Sequence, residues 1–396
     1  MDIAPRYQEL YGPFFVTRDQ AGAHNAEVAK VWEAYKRDAP IRVPATWGAM
    51  NPMRLMYADE SLCFRDYWHD SEQMLRLQAT AAALSRRIIT TDDAKGPRAA
   101  PVGATLDFHP FGDETYWGCP VEFYDRDQPR VYHIYSDAKV PPSRMAIPDP
   151  FSGGFMDTVW RMYNEMSALV QTDISFAGLR FTPRVRTAGM KGTYGIFNTA
   201  LQMRGTALFL DMFEDPEYVH GLLDVVSRGY VHRVKAWEKE TQKNKRYNIC
   251  YDHGIDMMST EHYEQFLVPV YERVKAAFGA EKYDANIEHC GRGEAVLRYK
   301  HERFGIDSFS NLNASFLDLE KLRHDLGPEV YMQVTIHPGL VHTGPIDKVR
   351  EAVKETLTPA LKGRGRLTFG IQGDNFRAPI KHLVGLYEAV KEYGHY

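Results

Sequence analysis

Residues 306–336, IDSFSNLNASFLDLEKLRHDLGPEVYMQVTI, carry the pattern that decides the fold. A short apolar run at 306–309 is followed by an amphipathic stretch at 317–326 and by a second apolar run at 330–336. This order predicts a strand, a helix and a second strand. Because a helical crossover returns the chain to the same edge of its sheet, the two strands are predicted to be parallel.

The same alternation of short apolar runs and amphipathic stretches begins near residue 102 and continues to the end of the chain. Asp215-Pro216-Glu217 opens one of the helices, since an aspartate can cap a first turn and proline suits the next position. Earlier in the chain, Asn25 is predicted to cap a helix. The other predicted elements are strands at 41–44, 104–108, 247–251, 283–289 and 367–371, and helices at 72–89, 263–274 and 347–357.

Two folds satisfy a parallel alternation, a doubly wound open sheet and an eight-stranded barrel. No Gly-x-Gly-x-x-Gly follows a predicted strand. The glycine-rich motif that is typical of nucleotide-binding open sheets is therefore absent from these positions, which favours the barrel. We therefore predict an α/β protein with a single domain over residues 1–396, a (β/α)8 TIM-type barrel with a helical N-terminal extension. The extension and the first strand occupy about 1–95, and the remainder of the barrel occupies about 96–396.

Composition excludes several classes of protein. The chain has 396 residues, with 48 Lys and Arg against 52 Asp and Glu and a net charge of −4. This balance lacks the excess of positive charge that is typical of nucleic-acid-binding proteins. No apolar segment of the sequence approaches the ~18 residues that are needed to span a bilayer. The first residues lack a secretory signal, and four cysteines are too few for a disulfide scaffold. We expect a cytoplasmic protein with no nucleic-acid or membrane partner.

Polar residues follow the predicted strands at the end where a parallel barrel places its active site. Loops after strands are commonly polar, so each of these residues also has a purely structural interpretation. Their convergence on one barrel mouth favours a functional role. The residues are Asp107, His109, Asp252, His253, Glu288, His289, Cys290, Asn311, Asn313, His337, Gln372 and Asp374.

Glu288-His289-Cys290-Gly291 places a carboxylate, an imidazole and a thiol at one strand end. Residues two apart in a strand point the same way, so Glu288 and Cys290 are predicted to share a face while His289 points away. Two ligands on one face could form a zinc site with side chains from neighbouring strands. The alternative is a buried structural cysteine beside a solvated loop.

Asp107-x-His109-x-x-Gly112 matches the signature with which corrinoid-binding domains supply a histidine to cobalt. The match has only three fixed positions, and it follows a barrel strand with no separate sheet domain around it. We interpret it as accidental and keep His109 and Asp107 only as candidate residues of the barrel mouth.

Segments along most of the chain resemble the uroporphyrinogen decarboxylase superfamily, which also contains cobalamin-dependent methyltransferases. Their order and spacing together carry the resemblance. The segments are residues 41–44, 116–121, 192–223, 289–291, 311–313, 326–328 and 370–379. The resemblance implies a single (β/α)8 barrel with a helical N-terminal extension. The decarboxylases hold substrate carboxylates with arginines near the first strand, whereas residues 45–50, ATWGAM, contain none.

The methyltransferase branch binds zinc through His-x-Cys-Gly and a cysteine in the turn after the last strand. In this chain Glu288 stands at the histidine position and Gln372 at the last cysteine position, while Cys290 is retained. The implied metal ligands are therefore Glu288, Cys290 and Gln372. Oxygen ligands leave zinc more electrophilic than softer ligands do, which suits the polarisation of an ether oxygen.

We therefore predict a corrinoid-dependent demethylase. It would move a methyl group from an O-methyl compound, such as an aryl methyl ether, to cobalt(I) of cobalamin carried by a separate corrinoid protein, with zinc as Lewis acid. Asp252, His253 and His337 are candidate proton donors, and His109 is a further catalytic candidate. Three alternatives stay open: a methylcobalamin:thiol methyltransferase, a metal-free decarboxylase, and a non-catalytic corrinoid-binding protein.

Overall fold

A computed structural model describes residues 4–96, 100–108, 111–187, 190, 195–241, 252, 254–281, 283, 286–371 and 375–396. The helices are α1 (Pro5–Tyr11), α2 (Arg18–Lys36), α3 (Pro52–Ala58), α4 (Phe64–Tyr67), α5 (Ser71–Ser85), α6 (Gly112–Tyr116), α7 (Met156–Leu169), α8 (Gly195–Arg204), α9 (Ala207–Glu214), α10 (Pro216–Thr241), α11 (Thr260–His262), α12 (Val268–Phe278), α13 (Glu294–Phe304), α14 (Leu319–Leu326), α15 (Pro338–Thr343), α16 (Ile346–Thr356), α17 (Pro359–Lys362) and α18 (Ile380–Tyr393). The strands are β1 (Val102–Thr105), β2 (Val121–Glu122), β3 (Arg130–Val131), β4 (Ser175–Phe176), β5 (Leu179–Arg186), β6 (Ile287–Glu288), β7 (Ser308–Asn313), β8 (Tyr331–Thr335) and β9 (Leu367–Phe369).

The strand pairing is that of a barrel wall. Strands β6, β7, β8 and β9 form a parallel sheet in that order, and β1 pairs in parallel with β5. Ala45, the residue directly after the predicted first strand at 41–44, forms a parallel bridge with Phe369 of β9. The first and last strands of the repeat are therefore neighbours, as a closed barrel requires. The strand predicted at 247–251 lies outside the described residues.

Helices in the second half of the chain agree with the predictions. Helix α10 begins at Pro216, as its capping aspartate predicts. Helices α14 and α16 begin and end within two residues of the predicted boundaries. Buried residues of α16 and α18, such as Val349 and Leu383, pack in the same core as Val334 of β8. Apolar contact between the strand wall and the outer helices stabilises the barrel.

The predicted cap at Asn25 is wrong. Helix α2 begins one turn after Phe14, with Thr17 as N-cap, and the Thr17 and Gln20 side chains form a reciprocal capping box. Asn25 lies inside the helix, and its amide exchanges two hydrogen bonds with the backbone of Lys95, at 2.8 and 2.7 Å. A reciprocal box satisfies two backbone donors, so it fixes the helix start more strongly than a lone asparagine does.

The first strand is tied to the last helix by a buried ion pair. Arg42 donates to both carboxylate oxygens of Asp92 at 2.6 and 2.7 Å, and the Tyr387 hydroxyl donates to the same carboxylate at 2.9 Å. All three side chains are buried. Removing one partner of such a pair would leave an uncompensated charge, so the network fixes how the N-terminal segment meets α18.

None of the helices in the described residues is long and apolar enough to cross a membrane.

Candidate active site

Glu288 and Cys290 face each other at the end of β6. The Cys290 sulfur lies 3.7 Å from the Glu288 Oε1 atom. Asn311 of β7 reaches the same place, where its Nδ2 donates to Glu288 Oε1 and lies 3.9 Å from the Cys290 sulfur. The three side chains are half-buried. A carboxylate, a thiol and an amide therefore converge at one point of the barrel mouth.

An irregularity in β7 brings Asn311 to this point. The register between β7 and β8 shifts between Phe309 and Leu312, and Asn311 has a φ of 59°. Asparagine enters this left-handed region more readily than most residues, and an extra residue in a strand re-aims the side chain next to it. The strand β6 stays aligned beside it, since the His289 N–H donates to the Ser310 carbonyl at 2.9 Å.

Strand alternation predicts that His289 points away from the Glu288 and Cys290 pair. Its side chain is buried, and its ring lies against Gly293. Gly291 has a φ of 140°, and a Cβ there would lie 3.0 Å from an oxygen of Asp256. Glycine therefore lets the loop that contains Asp256 pack directly onto the turn after Cys290.

Asp252 is fully buried and belongs to an ion pair. Its Oδ2 accepts hydrogen bonds from Lys300 Nζ at 2.9 Å and from the Tyr263 hydroxyl at 3.0 Å. The Asp252 and Lys300 side chains are both 0% exposed. Burial raises the pKa of Asp252, and the Lys300 charge opposes that rise. This pair joins the loop after the predicted strand at 247–251 to α13, the helix that follows the Cys290 turn.

His337 lies at the carboxyl end of β8 and is exposed. It caps α15, and its Nδ1 accepts a hydrogen bond from the Gly339 N–H at 3.1 Å. A ring whose Nδ1 is an acceptor carries its neutral-state proton on Nε2. His337 can therefore present an N–H toward the barrel mouth or solvent.

Asp107 is held in place by two residues of the N-terminal extension. The Tyr67 hydroxyl donates to its carboxylate at 2.7 Å, and the Trp68 indole donates to its backbone carbonyl at 3.0 Å. The aspartate of the apparent corrinoid signature thus has a packing role. His109, His253 and Gln372 were also predicted as site residues, and all three lie outside the described residues.

The described donors fit part of a zinc site. Tetrahedral zinc with oxygen at about 2.1 Å and sulfur at about 2.3 Å separates those two ligand atoms by roughly 3.6 Å. The observed separation between Glu288 Oε1 and the Cys290 sulfur is 3.7 Å. Among the described residues, no group of three or more His, Cys, Asp or Glu side chains converges on a metal-sized space. Glu288 and Cys290 would therefore need Gln372, or another oxygen donor, to complete the site.

Sequence reasoning missed one residue of this region, Lys300, and gave no specific role to another, Asn311. Asn311 was included only as a strand end, and its left-handed conformation is not visible in the strand pattern. Lys300 was not among the predicted site residues, although its position in the helical pattern indicates a buried lysine. It falls on the same face of α13 as the buried residues Val296, Leu297 and Phe304, where a lysine needs a buried partner.

Comparison with known proteins identifies the fold and family. The chain matches the uroporphyrinogen decarboxylase (URO-D) family over residues 116–393. It also superposes on a solved structure of a methyltransferase from Methanosarcina mazei with a TM-score of 0.57. The two sequences are 15% identical, and the match covers 92% of this chain and 98% of that chain. No curated protein matches the sequence.

These comparisons confirm the predicted architecture. The region that matches the family contains the parallel strands β6 to β9. Helices of the N-terminal extension precede the barrel. At 15% identity the likeness to the methyltransferase shows a shared fold. The chain is a (β/α)8 barrel protein that belongs to the uroporphyrinogen decarboxylase family.

Proposed function

We propose that the protein is a methyltransferase that removes a methyl group from a small O-methyl compound and delivers it to cobalt(I) of cobalamin on a separate corrinoid protein. The observation that carries this proposal is the 3.7 Å separation of Glu288 Oε1 and the Cys290 sulfur. The solved structure with the same fold is that of a methyltransferase, which agrees with the proposed reaction class.

Glu288 and Cys290 would hold a zinc ion, with Gln372 as the third proposed ligand. Zinc bound there would act as a Lewis acid that polarises the oxygen from which the methyl group departs. Asn311 donates to Glu288, so it fixes the direction in which the carboxylate oxygen points. A neighbour that orients a metal ligand in this way affects metal affinity although it does not bind the metal.

His337 is the proposed proton donor to the departing oxygen. It follows β8 directly, and its Nδ1 is occupied by the Gly339 N–H, which leaves the proton on Nε2. His253 and His109 stay as further proposed catalytic residues. We assign Asp252 a positioning role instead, because Lys300 and Tyr263 already bind its Oδ2 and its side chain is fully buried.

The test is a spectroscopic assay of methyl transfer. Purified protein is mixed with zinc, cobalt(I) cobalamin and a panel of methoxylated aromatic compounds and methylamines, and methylcobalamin is followed by its absorbance. We expect methylcobalamin from at least one methoxylated compound. Glu288→Ala and Cys290→Ala should each lower the rate by about 10²-fold or more, as removal of a group that stabilises developing negative charge does.

Cys63→Ala is the matched control, because Cys63 is the N-cap residue before α4 in the N-terminal extension and its sulfur lies 3.6 Å from Asp125 Oδ1. It should leave the rate unchanged. Product from methylamines alone would contradict the ether proposal. Rapid loss of methyl from methylcobalamin to added thiols, without product from oxygen donors, would favour the thiol methyltransferase instead.

A further inference from the structure

A polar cavity opens beside the loop that follows β1. It has a volume of about 750 Å³, within the range of small-molecule sites. Its walls come from the β2–β3 hairpin and from α8, and its lining includes Glu114, Tyr124, Arg126, Arg130 and Gln202. Helices α6 and α8 follow the parallel strands β1 and β5, so the cavity lies on the face of the barrel that carries the active site.

Glu114 is the unusual member of this lining. Its side chain is only 3% exposed, and its Oε2 atom has no hydrogen-bond partner among the described residues. The neighbouring Asp113 is different, because it pairs with the buried Arg233. Burial and the Asp113 carboxylate raise the pKa of Glu114 to about 8. A buried carboxyl without a partner is costly unless it is neutral or bound by a ligand.

The arginines give the cavity an excess of positive charge. Arg126 donates from one terminal nitrogen to the backbone carbonyls of Glu60 and Leu62, at 2.6 and 3.1 Å. Its other guanidinium donors therefore stay available. Arg130 is exposed, hydrogen-bonds with the Tyr132 side chain and faces Glu122 across the hairpin, so part of its guanidinium is already used.

The one aspartate in the lining is already neutralised. Asp127 pairs with Arg377 at 2.9 Å and accepts a hydrogen bond from the Tyr57 hydroxyl at 2.5 Å. Arg377 lies in the 3₁₀ turn Asn375–Arg377, which comes after β9, so this contact also holds the hairpin against another loop of the barrel mouth. The charge of the cavity is thus set by Arg126 and Arg130, and the Glu122 carboxylate, which faces Arg130 across the hairpin, offsets part of it.

From this arrangement we infer that the cavity binds the carboxylate group of a small organic acid. The guanidinium groups of Arg126 and Arg130 would contact the carboxylate oxygens, and the Glu114 carboxyl would donate its proton as a hydrogen bond to the same ligand. If the proposed function holds, this acid is the methyl donor. The substrate class is then a methoxylated carboxylate, a refinement that rests on the proposed function.

Calorimetric titration with para-methoxybenzoate tests the inference without any turnover. Cobalamin is left out, and the neutral analogue para-methoxybenzamide and inorganic phosphate are titrated separately. We expect saturable binding of the acid and about tenfold weaker binding of the amide, since the amide carries no charge for the arginines. Arg130→Gln should weaken binding of the acid by about tenfold. The control Arg184→Gln, which replaces an exposed arginine of β5, should not weaken it.

The outcomes separate this inference from the proposed function. Binding that survives in Cys290→Ala supports the cavity, since a carboxylate held only by the zinc site would be lost there. Acid binding without methyl transfer would support the cavity and contradict the proposed function. Equal affinity for acid and amide, tight phosphate binding that displaces the acid, unchanged binding in Arg130→Gln, or no saturable binding would each overturn the inference.

Discussion

Glu114→Gln should change how the stability of the protein depends on pH. The wild-type carboxyl is buried, and its pKa is raised from 4.5 to about 8 by burial and by the Asp113 carboxylate. The folded protein therefore keeps a proton on Glu114 that the unfolded chain releases above about pH 4.5. The stability associated with this proton is complete below the unfolded pKa and is lost as the pH rises through about 8.

The magnitude follows from the size of the pKa shift. Each unit of difference corresponds to about 1.36 kcal/mol, so the loss between about pH 5 and pH 8 is on the order of 4 kcal/mol. Glutamine has nearly the same shape and does not titrate. The variant should therefore resemble the wild type near pH 5 and become more stable than it above pH 7, by a few degrees in Tm.

Thermal unfolding followed by circular dichroism measures the difference in Tm between variant and wild type at each pH. Taking this difference removes the contributions of all other titrating groups. Glu388→Gln is the control, because Glu388 is an exposed residue of α18. Its curve should stay parallel to that of the wild type. A parallel curve for Glu114→Gln as well would refute the assignment of a neutral, buried carboxyl.

Three further substitutions have expected effects. Asn311→Ala removes the amide that orients the metal-binding carboxylate, and it should weaken zinc binding by about 10- to 100-fold in a competition assay with a chelator; unchanged affinity would contradict that role. Lys300→Met leaves Asp252 charged and buried, and it should lower the free energy of unfolding by about 3–5 kcal/mol. Adding Asp252→Asn to that variant should restore part of the loss, and the absence of any recovery would argue against the ion pair. Gly291→Ala places a Cβ 3.0 Å from an Asp256 oxygen at a φ of 140°, so it should lower the free energy of unfolding, measured with denaturant, by about 1–3 kcal/mol. Gly22→Ala in α2 is the control, because a Cβ there has nothing within 4 Å, and it should not lower the free energy of unfolding.

The sequence predicts those features that depend on local pattern. The same face for Glu288 and Cys290 follows from strand alternation alone, and the structure places their donor atoms 3.7 Å apart. The start of α10 follows from the capping signals before it. The parallel sheet follows from the alternation of strands and helices, and the barrel is favoured over a doubly wound sheet because no Gly-x-Gly-x-x-Gly follows a predicted strand.

Features that depend on contacts between distant segments could not be predicted in this way. Asn311 reaches the site because of a register shift in β7. An asparagine within a strand pattern gives no sequence signal for such a shift. Asn25 looked like a cap, but its amide bonds to the backbone near Lys95, about 70 residues away in the chain. The cavity lined by Glu114 forms where the β2–β3 hairpin lies against α8. The local sequence pattern of either element does not predict that contact.

Metal analysis of the purified protein tests the central claim most directly. Zinc content is measured after dialysis against trace zinc, and the zinc X-ray absorption spectrum reports the ligand atoms. We predict one zinc ion per chain, with a single sulfur neighbour at about 2.3 Å and oxygen neighbours at about 2.1 Å. Zinc should be lost in Glu288→Ala and Cys290→Ala and retained in Cys63→Ala. Equal zinc content in all four proteins, or a wild-type spectrum without sulfur, would contradict the proposed metal site.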